Sequence, residues 1–555
     1  MKIAGISFKF GKGPGSEPER TKLTPVTVFV GPNNSGKSRV LEEIRHYCSG
    51  DEISPLTQQI IEDLEFPKPS DNDVQETVSR FTFPLPPGEL IQPNEIWYRS
   101  IHGVHRIDRK YLEDSMRDTA SPLFGAYYLS PHTLMLSGPT RIALVNEQGA
   151  GDLQGPPVSS FQVLFKDNAK RAEVRRILYD AFCSYFVVDP TNLGHLRIRL
   201  SPSEPRSDEE ERGIHGAVIE FHAAAQSIEE TSDGVKAFTG MITEIIAGDA
   251  AILLIDEPEA FLHPALAFKL GNEIARLAAT SQKNLFASTH SAEFVMGCIQ
   301  SGAPVNIIRL TYRSGVATAR VLRNDEILQL MRNPLLRSTG VLRGMFYESV
   351  VVTESDTDRA FYQEVNERLL RNASAGIPNC LFLNAQNKQT VQTIIKPLRD
   401  LGIPAAAIVD IDVLKEGGAV WSGFLEAGFV PEIDRHAMAT ARAEVKSKFD
   451  ATGKNMKREG GLGILDRDDK EAATNLLDRL AQYGLFVVPH GELESWLPQL
   501  GVSGKGPYWL IEIFQKMGED PDIPGYVKPT SGDVWEFLGR TKNWLANPNR
   551  KGIPY

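Results

Sequence analysis

The chain has 555 residues, with 60 lysines and arginines against 71 aspartates and glutamates and a formal charge of −11. That length exceeds one ordinary core and favours several domains. The negative balance excludes a protein that coats nucleic acid over its whole surface and leaves room only for a local basic groove.

Four cysteines, Cys48, Cys183, Cys298 and Cys380, lie far apart with no C-x-x-C spacing. They indicate neither a disulfide framework nor a zinc site and read as reduced core thiols. Residues 1–6 alternate as a strand does, with no charged-then-apolar leader, and no apolar run is long enough to span a bilayer. A cytoplasmic protein without membrane contact is expected.

The β-branched run 25–30 reads as a buried strand, and 39–44 has helical spacing. Between them, Gly31-Pro32-Asn33-Asn34-Ser35-Gly36-Lys37-Ser38 fits the phosphate-binding pattern G-x-x-x-x-G-K-[ST] at every fixed position. Its glycines let the backbone N–H groups of the loop surround phosphates, Lys37 can reach the β- and γ-phosphates, and the Ser38 hydroxyl can ligate magnesium. A strand feeding a helix N-terminus is itself an anion site.

Residues 50–230 mix proline-rich stretches such as 83–88 with strand and helix candidates, without a repeat or a heptad run, so no coiled-coil arm is expected. Strand-like runs at 196–200 and 217–221 flank the charged segment 207–212, which reads as an exposed hairpin tip. The run 251–255 is a buried strand that delivers Asp256 and Glu257 at its end. Beside a phosphate loop, Asp256 is placed to hold magnesium through water, and Glu257 to orient or deprotonate an attacking water. A further strand, 284–288, leads to Thr289-His290, where His290 can sense a γ-phosphate.

From 325 to 347 an amphipathic helical connector is expected, with Arg332, Arg337 and Arg343 among apolar residues. Three apolar strands follow at 349–353, 405–409 and 485–488, and each delivers acids at its C-terminal end. These are Glu354, with Asp356 and Asp358 close behind; Asp410 and Asp412; and Glu492 and Glu494. Open α/β sheets place their ligands at such ends. Carboxylates so clustered repel one another and titrate upward unless a cation neutralises them, so one or two Mg2+ or Mn2+ ions on oxygen ligands are the economical account. Two such ions can activate water and stabilise the leaving oxygen in phosphodiester cleavage.

Lys446, Lys448, Lys454, Lys457 and Arg458 form the best local basic patch, either a nucleic-acid path or a solvated charged loop. Lys388 opens a helix after the strand 380–383 and reads as a solvated lysine or a phosphate contact.

The order of phosphate loop, Ser232-Asp233-Gly234, Asp256-Glu257-Pro258-Glu259 with Leu262-His263-Pro264, and Ser288-Thr289-His290 resembles ATPases of the ABC/SMC-like group over roughly residues 1–320. In that group the Ser-x-Gly signature of one protomer closes over ATP held by the loop of another. Ser232 and Gly234 therefore imply a head-to-tail homodimer or a higher homo-oligomer. Arg141, in the segment 137–141, reads either as a basic residue of this site or as a surface cation.

The acids of the second half resemble the Toprim domain, and the pairing of the two halves resembles the OLD (overcoming lysogenisation defect) family of nucleases. Glu354 matches the first Toprim glutamate, Asp358 the second acid, Asp410 and Asp412 the D-x-D pair, and Glu492 and Glu494 a later acidic pair. Ser355 stands where a glycine usually follows the first glutamate. In the family a basic residue near the C-terminus completes the site, here either Lys542 or Lys551.

The resemblance implies an α/β chain with an ABC-type P-loop ATPase domain at 1–324, carrying insertions over 50–230, a connector at 325–348 and a Toprim-like domain at 349–555. It implies ATP and Mg2+ in the first half, Mg2+ or Mn2+ in the second, and cleavage of DNA or RNA in bacterial defence against phage. Two other readings stand beside it: an ATPase scaffold whose degenerate Toprim holds or releases a separate effector protein, and a DNA-repair ATPase that clamps duplex.

Overall fold

The computed structural model describes residues 2–50, 58–83, 92–100, 103–155, 157–313, 315–322, 324–372 and 375–554. Most of the proline-rich stretch 83–88 lies outside them, as does the side chain of Arg337.

The first half is built on a six-stranded sheet. Its strands are β1 (Val26–Val30), β2 (Thr133–Leu136), β3 (Ile252–Asp256), β4 (Asn284–Ser288), β5 (Val305–Arg313) and β6 (Val316–Leu322), in the spatial order β6-β5-β1-β4-β3-β2. All neighbours are parallel except the β5–β6 hairpin. Period-two alternation sends Val28 and Val30, with Leu253 and Ile255, to one face, and Phe29, with Ile252 and Leu254, to the other. Helix α1 (Lys37–Ser49) packs Val40, Leu41 and Ile44 on the Phe29 face. Helices α2 (Asp233–Ala247) and α3 (Pro264–Thr280) cover the opposite face with Phe238, Met241, Leu270 and Ile274. Burial on both faces explains why these strands read as continuous apolar runs.

The segment 207–224 differs from its expectation. Asp208–Arg212 and Gly216–Ala224 are helices, not a hairpin tip and a strand. Ser207 caps the first by accepting from the Glu210 N–H at 3.2 Å. Glu211 turns inward, fully buried, and accepts from Arg171 Nε at 2.8 Å, Arg175 Nη2 at 2.7 Å and the Val188 N–H at 3.1 Å. A buried ion pair thus draws the charged segment inward instead of leaving it an exposed tip. The cysteine expectation is also corrected in part: Cys48 and Cys298 are buried, Cys380 is half-buried and Cys183 is exposed.

The connector contains helices over Asn324–Arg332 and Pro334–Thr339 and a 3-10 turn over Val341–Phe346. It leads into a second, all-parallel sheet of β7 (Ser349–Thr353), β8 (Cys380–Asn384), β9 (Ala405–Val409) and β10 (Leu485–Val487), ordered β8-β7-β9-β10. Helix α4 (Asp356–Arg371) follows β7 directly.

The halves are joined through Arg309 of β5. This buried guanidinium donates to the carbonyls of Tyr347 at 2.9 Å, Met345 at 3.3 Å and Gly402 at 3.4 Å. No described helix is long and apolar enough to cross a membrane.

Candidate functional site

The phosphate loop runs from the end of β1 to the start of α1. Gly31 has a φ of +148, and a Cβ there would stand 2.1 Å from the Leu310 carbonyl oxygen of β5; Gly36, at φ +93, occupies the helix N-cap. Only glycine suits both positions. Lys37 is 5% exposed and folds back to donate to the carbonyls of Gly31 at 2.9 Å and Pro32 at 2.7 Å. Burial lowers its pKa to about 8, opposed by the charges of Glu257, Asp256 and Glu259. Asn33 and Asn34 are exposed at the loop's tip, and the buried Ser35 hydroxyl has no partner.

The Ser38 hydroxyl donates to Asp256 Oδ1 at 2.9 Å, and Ser288 bonds the same oxygen. A hydroxyl and a carboxylate meeting at the loop are the oxygen donors a nucleotide-bound Mg2+ requires, so the residues fit that group. Glu257 adopts a left-handed φ of +50 just past the end of the strand, and its carboxylate lies 3.8 Å from His290 Nε2. Glu259 accepts the His290 backbone N–H at 2.8 Å; its own pKa is raised by burial.

Arg141 is not a surface cation. It is 1% exposed, and Nη1 donates to the carbonyls of both Asp256 and Glu257 at 2.6 Å, bracing the strand end that carries the two acids. Ser232 is exposed at the N-cap of α2. Gly234 is buried, where a Cβ would meet the Phe261 carbonyl oxygen at 2.5 Å, so the signature turn packs on the loop that follows the acids.

In the second half, β7 and β9 are neighbours, so their C-terminal acids converge. Glu354, Asp410 and Asp412 each offer a carboxylate oxygen, all within 4.8 Å of one another. The Asp410 N–H donates to Glu354 Oε1 at 2.9 Å. Burial first, then the neighbouring carboxylates, raises the pKa of both Glu354 and Asp410. Asp412 Oδ1 is buried without a hydrogen-bond partner. An all-oxygen set with one orphaned carboxylate oxygen fits Mg2+ or Mn2+.

Two lysines enter this cluster. Lys457 Nζ lies 2.7 Å from Asp410 Oδ2 and 3.7 Å from Asp412 Oδ2; Lys388 Nζ lies 3.1 Å from Asp412 Oδ2 and 2.8 Å from Glu416 Oε1. Burial works against the charge of Lys457, but Asp410, Asp412 and Glu354 outweigh it and hold the ammonium protonated. The backbone fixes its position, since Gly491, at φ +121, lets the Lys457 carbonyl oxygen approach to where a Cβ would be 2.2 Å away.

The other expected acids engage other partners, although the Asp358 charge still acts on Glu354 and Asp410. Asp358 forms a capping box with Ser355 at the start of α4, accepting the Ser355 N–H at 3.0 Å while Ser355 Oγ accepts the Asp358 N–H at 3.2 Å. Glu492 pairs with Lys505 at 2.6 Å, and Glu494 accepts the Gly506 N–H at 2.8 Å. Lys551 donates to Gln482 Oε1 at 3.3 Å beside the Tyr483 ring, and Lys542 is half-buried on the helix Asp533–Ala546.

Sequence reading left Lys388 and Lys457 as ambiguous surface cations. The Gly491 turn that draws in the loop of Lys457 shows in a φ angle of +121, not in composition.

Two family models match the chain. Residues 154–296 match "AAA domain, putative AbiEii toxin, Type IV TA system", a stretch that includes Ser232, Asp256, Glu257 and His290. Residues 345–412 match "Overcoming lysogenization defect protein-like, TOPRIM domain", which includes Glu354, Asp358, Asp410 and Asp412. No curated protein matches the chain. Similar solved structures include an SmcHead bound to the C-winged helix domain of ScpA, 14% identical with a TM-score of 0.34, covering 59% of this chain and 100% of that one. The SMC head domain from Thermotoga maritima is 13% identical with a TM-score of 0.29, covering 58% and 100%. An SMC head with an extended coiled coil, bound to the C-terminal domain of ScpA derived from Pyrococcus furiosus, is 13% identical with a TM-score of 0.29, covering 59% and 98%.

Proposed function

We infer from this chain's domain pair, an AAA-type ATPase domain followed by a Toprim domain of the overcoming lysogenization defect type, that it hydrolyses ATP in its first half and cleaves nucleic-acid phosphodiesters in its second. The carrying observation is the convergence of Glu354, Asp410 and Asp412 at the ends of adjacent parallel strands, with Asp412 Oδ1 left unpartnered.

A divalent cation held by Glu354, Asp410 and Asp412 would supply an activated water and charge for the leaving oxygen. The protein's own residues do the rest. The Asp410 N–H holds the Glu354 carboxylate in place. Lys457, paired with Asp410, would offer its charge to a substrate phosphate, and Lys388 holds Asp412 through its own ion pair. In the first half Lys37 and Ser38 would hold the phosphates and magnesium, Asp256 orients Ser38, and Glu257 beside His290 would serve the γ-phosphate.

The exposed Ser232 at the start of α2 supports a head-to-tail dimer that completes each ATP site. DNA and RNA both present the phosphodiester that such acids read. Resemblance to the overcoming lysogenization defect family extends this reading to a cytoplasmic role in bacterial defence against phage.

Glu354→Ala and Asp412→Ala, alone and combined, should abolish Mn2+-dependent nicking of plasmid DNA or cleavage of RNA while ATP hydrolysis stays within about twofold of the parent. A double variant that cuts at the parent's rate overturns the nuclease assignment. One observation favours a second reading. Lys457 and Lys388 pair with the acids directly, contacts that would also hold the strand ends together in a degenerate Toprim serving as a docking module for a separate effector. Purified parent protein that cuts neither DNA nor RNA with Mn2+ would select that reading.

A further inference from the structure

Arg343 stands in the 3-10 turn Val341–Phe346, at the end of the connector, yet its side chain lines a polar cavity of about 280 Å³ together with Asn33 of the phosphate loop and His290. Asn33 belongs to the phosphate loop, and His290 follows the strand Asn284–Ser288 with its ring 3.8 Å from Glu257, so the cavity opens beside the loop and the acid-bearing strand end. The guanidinium is exposed, and among the described residues no ion pair holds it. Glu293 is the carboxylate in the same cavity, and it is engaged by the Ser291 hydroxyl at 3.1 Å. An exposed, always-charged fork beside a phosphate loop suits a phosphate, because guanidinium–phosphate pairs are bidentate and charge-assisted.

The turn itself is anchored. Gly340, at φ +71, opens it, and buried Arg309 holds its Met345 carbonyl and the adjoining Tyr347 carbonyl to β5. Beyond Tyr347 the chain runs straight into β7 and Glu354. Arg343 also lines a second cavity of about 500 Å³ along the edge strand β8.

We propose that Arg343 recognises the γ-phosphate of bound ATP in cis, so that the connector distinguishes ATP from ADP and carries the difference to the strand that bears Glu354. The proposal rests on the reading of Gly31–Ser38 as the nucleotide site. ADP lacks the phosphate that Arg343 reaches, so the residue acts on discrimination and leaves basal nucleotide binding alone.

The test is nucleotide binding by the full-length chain with Mg2+, using ATPγS and ADP as probes displacing a fluorescent nucleotide. Arg343→Ala should weaken ATPγS about tenfold, the worth of one charge-assisted hydrogen-bonded contact, and leave ADP within about twofold. Arg343→Lys, which keeps the charge and loses the fork, should recover part of the loss. Equal weakening of both nucleotides, or no change in either, overturns the proposal. Failure of the parent chain to bind ADP at all would instead overturn the nucleotide-site reading. Because Arg343 is exposed, its variants remain folded, and coincident melting curves check that.

Discussion

Replacing Lys457 with methionine removes a charge from the acid cluster and keeps the apolar stem. Its ammonium lies 2.7 Å from Asp410 and 3.7 Å from Asp412, on a side chain 29% exposed. Removing one partner of a fully buried pair costs about 3–5 kcal/mol, whereas an exposed pair is worth about 0–1 kcal/mol. A side chain between these limits should cost about 2 kcal/mol without metal. At roughly 3 °C per kcal/mol for a domain of about 200 residues, the Toprim half should melt about 6 °C below the parent in EDTA. A divalent cation does the same electrostatic work, so excess Mn2+ should narrow the gap to about 2 °C while cleavage stays lost.

Burial adds a pH signature. Glu354 and Asp410 have raised values, so the folded state keeps protons that the unfolded chain has released. Their stabilisation is full below the ordinary carboxylate range and is lost as pH rises through the raised values; without Lys457 that decline steepens. Calorimetry in EDTA and in Mn2+ reads both effects. Equal melting in EDTA, or a gap of the same size in both conditions, refutes the electrostatic account of Lys457.

Three further outcomes are expected. Gly31→Ala should abolish ATP binding, because its Cβ would stand 2.1 Å from the Leu310 carbonyl oxygen at a φ of +148; a fluorescent-nucleotide titration within about threefold of the parent would contradict this. His132 is 6% exposed and its pKa falls from 6.5 to about 4 by burial. Its contribution is therefore full above pH 6.5 and lost as pH falls toward 4, up to about 3 kcal/mol; His132→Phe should flatten the acid limb of a melting-temperature profile. Glu211→Ala leaves Arg171 and Arg175 without their shared buried carboxylate and should cost about 3–5 kcal/mol in denaturant unfolding, an effect an exposed hairpin tip would not show.

The acid-bearing strands were legible because both sheets are parallel and buried. Such strands read as apolar runs, and their C-terminal ends mark the sites. That logic located Asp256, Glu354 and Asp410 from composition and order alone. It failed at 217–221, where a run of strand-like composition is helical because Val218 and His222, one turn apart, are both buried and the His222 ring bonds the Glu211 carbonyl at 2.8 Å. It also left Arg141 undecided, since only the fold brings residue 141 to the carbonyls of 256 and 257.

Asp358 shows why spacing alone does not settle a ligand set. Glu354-Ser355-Asp356-Thr357-Asp358 matches an acid pair four apart, but Ser355-x-x-Asp358 is equally a capping box, with two orphan N–H groups at the start of α4 to satisfy. Without a cation the local hydrogen bonds win, and burial raises the Asp358 pKa further from that of a ready ligand. A glycine at 355 would offer no hydroxyl to the Asp358 N–H and leave that carboxylate freer to turn toward the trio. The serine therefore sets up a competition between helix cap and metal. On the proposed metal reading those capping bonds would oppose Asp358 turning toward Glu354, Asp410 and Asp412, and Ser355→Gly should lower the Mn2+ required in a titration of cleavage.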